Sequence, residues 1–315
     1  MGMRSNGRNG KGGRWSRRVA VTVAAATTLG AALTVPTQAA PLVPGGPDVQ
    51  TFELPQLPGV QLPQIPGLPV PAQAVPSIGP ANFSTPRLNP SEGEVVGVAQ
   101  PIVISFAEAI ADRAVAERAI RITTTPKVDS GHFYWINDRQ VRWRPTQFWP
   151  ANTDVVVEAG GARSAFHVGE AVITTADDVT KQITVIRNGE VVKTMPTSMG
   201  KPGHETPNGT YIVGEKFRDM YMDSSTYGVP VDSPEGYRTY VEYATRISYS
   251  GIFVHAAPWS VNQQGYSDVS HGCLNVSTED GRWFFENARK GDPVIVVNTS
   301  GGVLDGHDGL GDWNL

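Results

Sequence analysis

The spacing of apolar positions divides the chain into distinct stretches. Val19 to Val35 is a run of seventeen Ala, Val, Thr and Leu residues broken by one Gly. From Pro36 to Pro90 prolines recur every few residues, and Leu54-Pro55-Gln56-Leu57-Pro58-Gly59 is echoed by Leu62-Pro63-Gln64-Ile65-Pro66-Gly67. Proline removes an N–H and fixes φ, so this stretch predicts an extended, polyproline-like spacer. From about residue 84, short apolar runs alternate with turn residues. The runs 93–98, 102–106, 120–124, 133–136, 141–143 and 155–159 predict strands, and their spacing predicts a small β-sandwich. One short helix is expected over 112–119, capped by Asp112. Trp135, Trp143 and Trp149 fit a small core, with a sugar-stacking face as the alternative.

A second β-rich stretch begins near Ala171. Runs at 183–186 and 191–193 flank Asn188-Gly189, a hairpin signal because both residues tolerate positive φ. Thr206-Pro207-Asn208-Gly209 predicts a turn before a strand at 210–213. Residues 216–237, rich in Asp, Ser, Gly, Pro, Tyr and Met, predict a long functional loop rather than a regular element. Residues 251–254 form an apolar run that predicts a buried strand. Ser277 with Asp280 opens a helix that Gly291 should end, and 293–298 is the last strand. Trp313, in the otherwise polar tail 300–315, predicts that the tail docks on the fold. The fold class is therefore mostly β: a sandwich over 84–170, then a mainly β domain over 171–299 with one or two helices.

Charge and cysteine usage narrow the function. Residues 1–18 carry Arg4, Arg8, Lys11, Arg14, Arg17 and Arg18 and no acid; the apolar run follows, then Thr37-Gln38-Ala39. This is the build of a secretory signal over 1–39, with an uncleaved anchor as the alternative. The spacer is then 40–83, and the expected location is outside the cell, on the cell-wall side of the membrane. Loss of those six positive charges takes the net charge from −4 to −10. Such a balance argues against nucleic acid and anionic membrane surfaces as partners. The chain has a single cysteine, Cys273, which in an exported protein is either an intermolecular partner or a reactive thiol.

Its neighbours favour reactivity. In Ser270-His271-Gly272-Cys273-Leu274-Asn275 the glycine lets a substrate approach the backbone, and the amides of His271, Gly272 and Cys273 are candidate oxyanion donors. His255 ends the apolar run eighteen residues upstream, so a strand end would hold its imidazole rigidly as a base. Nucleophile, base and oxyanion donors are the components of covalent acyl transfer. His271 is the alternative base; neighbouring positions on a strand or tight turn point apart, which favours His255. Two other readings use the same residues: a zinc hydrolase with His255, His271 and Cys273 as ligands, and a thiol peptidase with water as acceptor. A non-catalytic wall-binding protein is a third.

At these residues the chain resembles the L,D-transpeptidases of bacterial cell walls, with their YkuD-type catalytic domain. The pattern is a histidine, a spacer, then Ser/Thr-His-Gly-Cys-apolar-Asn; here it reads His255, fourteen residues, then 270–275. Ser198-Met199-Gly200 and 206–211 match the upstream pattern, and 139–145 with 148–151 resemble the immunoglobulin-like domain that precedes the catalytic domain in the actinobacterial type. The resemblance covers roughly 84–315. It implies a peptidoglycan stem tetrapeptide as substrate, cleaved between diaminopimelate and D-alanine, with the acyl group passed to an amine of a second stem. It also implies acylation by carbapenems, no cofactor, no metal and a monomer. Met222, Tyr227 and Tyr237 match lid residues, and Trp259 would line the pocket. Ser270 and Asn275 would brace the loop beside the substrate. A serine often follows the base in that family; here the position is Ala256.

Overall fold

The computed structural model describes residues 79–315. The expected leader, 1–39, and nearly all of the spacer, 40–83, lie outside the described residues. Residues 87–168 form two four-stranded sheets. One has the order 87–89, 102–105, 140–145, 131–137; the other has the order 95–96, 162–168, 153–159, 120–125. Thr153–Ala159 shows how the sequence builds them: every second residue, including Val155, Val157 and Ala159, is buried, as a half-buried strand requires. These side chains meet Val96, Ile102, Ile104, Val141 and Phe166 between the sheets. Trp149 is buried in that core, with Trp135 and Trp143 packed against it, so the tryptophans fill a core. The helix is Arg113–Arg118, and the Asp112 side chain accepts from the Val115 N–H at 3.0 Å.

The second half has two more sheets. A six-stranded sheet runs in the order 190–196, 182–187, 172–177, 293–297, 207–212, 301–303. A four-stranded sheet runs in the order 216–223, 238–246, 253–256, 274–276. Between them lie Ile183, Met195, Tyr211, Val254, Leu274, Val276, Phe284 and Val296, all buried. The α-helix Thr278–Asn287 packs on strands 238–246 and 253–256. Ser277 caps it, its Oγ accepting from the Asp280 N–H at 3.1 Å while donating to Asp280 Oδ2 at 2.8 Å.

Four local expectations change. Strand 93–98 shrinks to Val95–Val96, because Gly97 packs on Asp292 so closely that a Cβ there would lie 2.2 Å from its backbone nitrogen. The turn expected at 206–209 falls inside the strand Pro207–Ile212, where Asn208 Nδ2 bonds the carbonyls of Thr299, Gly301 and Gly302 and recruits 301–303 as a neighbour. The helix stops at Asn287 rather than running to Gly291; Ala288 is already extended. Residues 216–223 form a strand, and only the part after it turns irregularly. Its partner strand carries Tyr243 at φ 52, the pair of Tyr243 with Arg218 is missing from an otherwise unshifted ladder, and exposure does not alternate along 216–223.

The two halves are joined by buried polar contacts. Arg142 Nη1 lies 2.6 Å from Asp312 Oδ1, and Tyr134 Oη donates to the same carboxylate at 2.7 Å. Burial, then the Asp312 charge, pushes the Tyr134 hydroxyl far above its ordinary value. Trp313 donates to the Ala99 carbonyl at 2.8 Å and meets the Phe148 ring edge-on at 4.6 Å.

Candidate active site

Strands Phe253–Ala256 and Leu274–Val276 pair in parallel, with His255 opposite Asn275. Side chains alternate along each strand, so the even positions Val254, Leu274 and Val276 share one face and enter the main core. The odd positions Phe253, His255, Cys273 and Asn275 face the other way. Cys273 therefore stands diagonally across from His255 on one surface, with its Sγ 3.7 Å from the Gly251 carbonyl, to which it can donate. Phe253 and Cys273 pack there with Met222, Val241 and Ala244. Both functional side chains open into one cavity of about 180 Å³, also lined by Tyr237, Thr239, Trp259 and His271.

The imidazole is fixed in one tautomer. His255 Nδ1 lies 2.9 Å from the Ala256 carbonyl, which can only accept, so Nδ1 carries the proton and Nε2 is left with a lone pair. The backbone carbonyl suffices for this, and alanine at 256 supplies it. Burial drives the His255 pKa down to about 4, against a smaller upward pull from that hydrogen bond. Burial likewise pushes the Cys273 thiol up to about 11. The resting pair is thus a neutral thiol beside a neutral imidazole.

The nucleophile loop is held by its own hydroxyl and by a strand far back in sequence. Ser270 Oγ donates to the Cys273 carbonyl at 2.7 Å and accepts from the Gly272 N–H at 3.0 Å. The Gly272 amide is therefore engaged, which leaves those of His271 and Cys273 as the candidate oxyanion donors of the expected three. Gly272 has φ +115, which a side chain would strain. Thr206 Oγ1 donates to the Gly272 carbonyl at 2.8 Å and accepts from the Gly200 N–H at 3.0 Å. Ser198 and Asn275 exchange backbone hydrogen bonds at 3.0 and 2.9 Å, and Ser270 N–H donates to the Met199 carbonyl at 3.0 Å. The stretch 198–206 is the mould of the loop.

The expected site residues come together with two qualifications. Met222, Tyr237, Trp259, His255, Ser270, His271, Cys273 and Asn275 all line the cavity. Trp259 is about half exposed, with its ring 6.0 Å from that of His255; Asn275 Nδ2 donates to Ser260 Oγ at 3.2 Å and so steadies the turn that carries it. Tyr227 falls at the end of the 3-10 turn Ser224–Tyr227. His255, His271 and Cys273 do not assemble as metal ligands. Among the described residues, the one group with ligand atoms mutually within 4.8 Å is His204, Glu235 and His271. The reason is local: the backbone turns at Gly272, and the His271 ring packs on Tyr237 and His204 instead. Sequence reasoning missed Thr206, Thr239 and Val241. The alternation Thr239, Val241 along 238–246 was a usable signal for the last two.

A lone thiol, an oriented imidazole and a glycine-shaped loop, on a sheet behind an immunoglobulin-like sandwich, have the make-up of a thiol-dependent acyl-transfer enzyme. Comparison with known proteins gives the family: the chain belongs to the L,D-transpeptidases. Residues 172–296 match the family described as L,D-transpeptidase catalytic domain, and 72–161 match the bacterial Ig domain. The chain is 56% identical over 250 residues to L,D-transpeptidase 2 of Mycobacterium tuberculosis, covering 75% of this chain and 61% of that protein. It is 43% identical over 227 residues to L,D-transpeptidase 1 of the same organism, covering 72% and 87%. Among solved structures, an L,D-transpeptidase in complex with imipenem superposes with TM-score 0.64 at 44% identity, covering 70% of this chain and all of that one. L,D-transpeptidase 3 of M. tuberculosis with a faropenem-derived adduct gives 0.63 at 40%, covering 69% and 99%.

Proposed function

We propose that this protein cross-links peptidoglycan by L,D-transpeptidation, with Cys273 as nucleophile and His255 as base. The observation that carries the reading is the shared face of Cys273 and His255, with His255 Nδ1 committed to the Ala256 carbonyl. The Cys273 S–H proton passes to His255 Nε2 as sulfur attacks the diaminopimelate carbonyl of a tetrapeptide stem. The carbonyl π electrons move to oxygen, and the amides of His271 and Cys273 receive that oxyanion. Collapse expels the D-alanine amine, which takes the proton from His255, and leaves a thioester. The side-chain amine of a second stem attacks the thioester, gives its proton to His255 and restores the thiol. Tyr237, Met222 and Trp259 shape the walls around the donor stem. The protein acts as an exported monomer on the cell-wall side of the membrane, and the imipenem and faropenem-adduct relatives suggest β-lactam acylation of the same thiol.

Mass spectrometry of the intact protein with a carbapenem tests this. One adduct is expected, on the peptide carrying Cys273, and Cys273→Ala should abolish both the adduct and cross-linking of stem dimers. His255→Ala should slow acylation by about 10²–10⁴-fold, as for a lost general base. An adduct on another residue, or transpeptidation surviving Cys273→Ala, overturns the mechanism.

A further inference from the structure

Two of the six histidines converge on one carboxylate oxygen outside the thiol–imidazole pair. His204 Nε2 and His271 Nε2 each lie 3.2 Å from Glu235 Oε2, and the ligand atoms of all three residues fall within 4.8 Å of one another. The edges of a tetrahedral zinc site, with bonds of about 2.0–2.2 Å to nitrogen and oxygen, are roughly 3.3–3.5 Å. Closing this trio on an ion therefore needs movements of about 1 Å, within reach of side chains that are each partly solvent-exposed. Two imidazoles, one carboxylate and an open fourth position form a donor set suited to zinc-class divalent cations. Lys201 Nζ sits 2.9 Å from the same Glu235 oxygen, and a metal must displace it into solvent.

The three ligands come from three segments. His204 belongs to the turn that moulds the nucleophile loop, and His271 to that loop. Glu235 belongs to the irregular segment leading to Tyr237, whose ring lies 4.9 Å from that of His271 and which lines the cavity. We propose that His204, Glu235 and His271 bind one zinc-class divalent cation, which clamps the Tyr237 segment onto the Cys273 loop and restricts access to the thiol. The metal site stands independently of whether Cys273 transfers acyl groups. It is distinct from the His255–His271–Cys273 set considered from sequence, since it uses neither the thiol nor His255.

Equilibrium dialysis of the full chain against Zn²⁺, with Co²⁺ as a spectroscopic probe, tests the site. One equivalent should bind to the parent protein and to Cys273→Ser alike, with no thiolate-to-cobalt charge-transfer band. Glu235→Gln and His204→Gln should each weaken binding by more than about 10-fold while melting normally without metal. Binding lost in Cys273→Ser, binding retained in both ligand variants, or no binding at about 100 µM Zn²⁺ overturns the site. Alkylation of Cys273 by iodoacetamide tests the clamp. Saturating Zn²⁺ should slow it at least about 10-fold in the parent and leave His204→Gln unaffected. An alkylation rate that ignores bound zinc, or protection that persists in His204→Gln, overturns the clamp.

Discussion

Thr206→Val isolates the mould from the chemistry. Valine keeps the shape of threonine but loses the hydroxyl, which here makes two hydrogen bonds in a side chain that is 1% exposed. Its loss leaves the Gly272 carbonyl and the Gly200 N–H without their partner. Each unsatisfied buried group costs about 1–3 kcal/mol, so the substitution should destabilise by roughly 2–6 kcal/mol. Water cannot easily replace the hydroxyl, because the backbone is packed tightly: a Cβ on Gly200 would lie 2.0 Å from the His204 carbonyl oxygen. At about 2–4 °C per kcal/mol for a protein this size, the melting temperature should fall by roughly 4–24 °C. The loop is also released on the side next to Cys273. A misplacement of about 1 Å should lower the carbapenem acylation rate of the remaining folded protein by up to about 10²-fold. Thr206→Ser keeps both bonds, loses one methyl at about 1 kcal/mol, and should acylate normally. A Val variant that melts within a degree of the parent, or Ser and Val variants that behave alike, would refute the reasoning.

Gly272→Ala meets no clash, since the nearest atoms to the added Cβ are 3.8 Å away, so its cost should be the positive φ alone, about 1–3 kcal/mol in a denaturant titration. A cost beyond about 5 kcal/mol would point to sterics instead. His255, whose folded pKa of about 4 lies below its unfolded value, stays neutral while the unfolded chain takes up a proton. Stability from this group is full above about pH 6.5 and falls by up to about 3 kcal/mol as pH drops through 4; His255→Gln should flatten that limb, and parallel profiles would count against the assignment. Asp292 works in the opposite direction: burial raises it to about 7, with Oδ1 unpartnered, so its ionisation penalises the fold as pH rises from about 4 through 7. Asp292→Asn should be about 2–3 kcal/mol more stabilising at pH 8 than at pH 5, and a pH-independent effect would refute the burial argument.

What could be read from the sequence was local. The thiol loop, the strand ending at His255, the Ser277 cap and the Asn188-Gly189 hairpin each depend on residues a few positions apart. The misreadings share a cause. Strand 216–223 is a half-exposed edge with one pair missing from its ladder, so Asp219, exposed, and Asp223, half-buried, read as loop when they are strand positions. The role of Thr206 depends on a contact 66 residues away, and the meeting of His204, Glu235 and His271 spans three segments. Neither leaves a periodic mark. Register has a similar origin: the odd face holding His255 and Cys273 exists because Asn275 pairs with both His255 and Ser198. A slip of one residue would turn the thiol into the core.

The neutral resting pair bears on how the proposed reaction starts. With burial raising the thiol to about 11 and lowering the imidazole to about 4, transferring the proton before attack runs uphill before the ions attract each other. Their attraction across a desolvated diagonal pair returns part of this. The remainder argues against a thiolate–imidazolium pair as the resting state, so proton transfer should accompany sulfur attack. Then the oxyanion donors must act in the same step, because the negative charge passes straight to the carbonyl oxygen. That explains why the loop is held so firmly. The His271 and Cys273 amides are set by the Ser270 hydroxyl from within and by Thr206 from outside, and a thiol with no charge of its own depends on them from the first moment of bond formation.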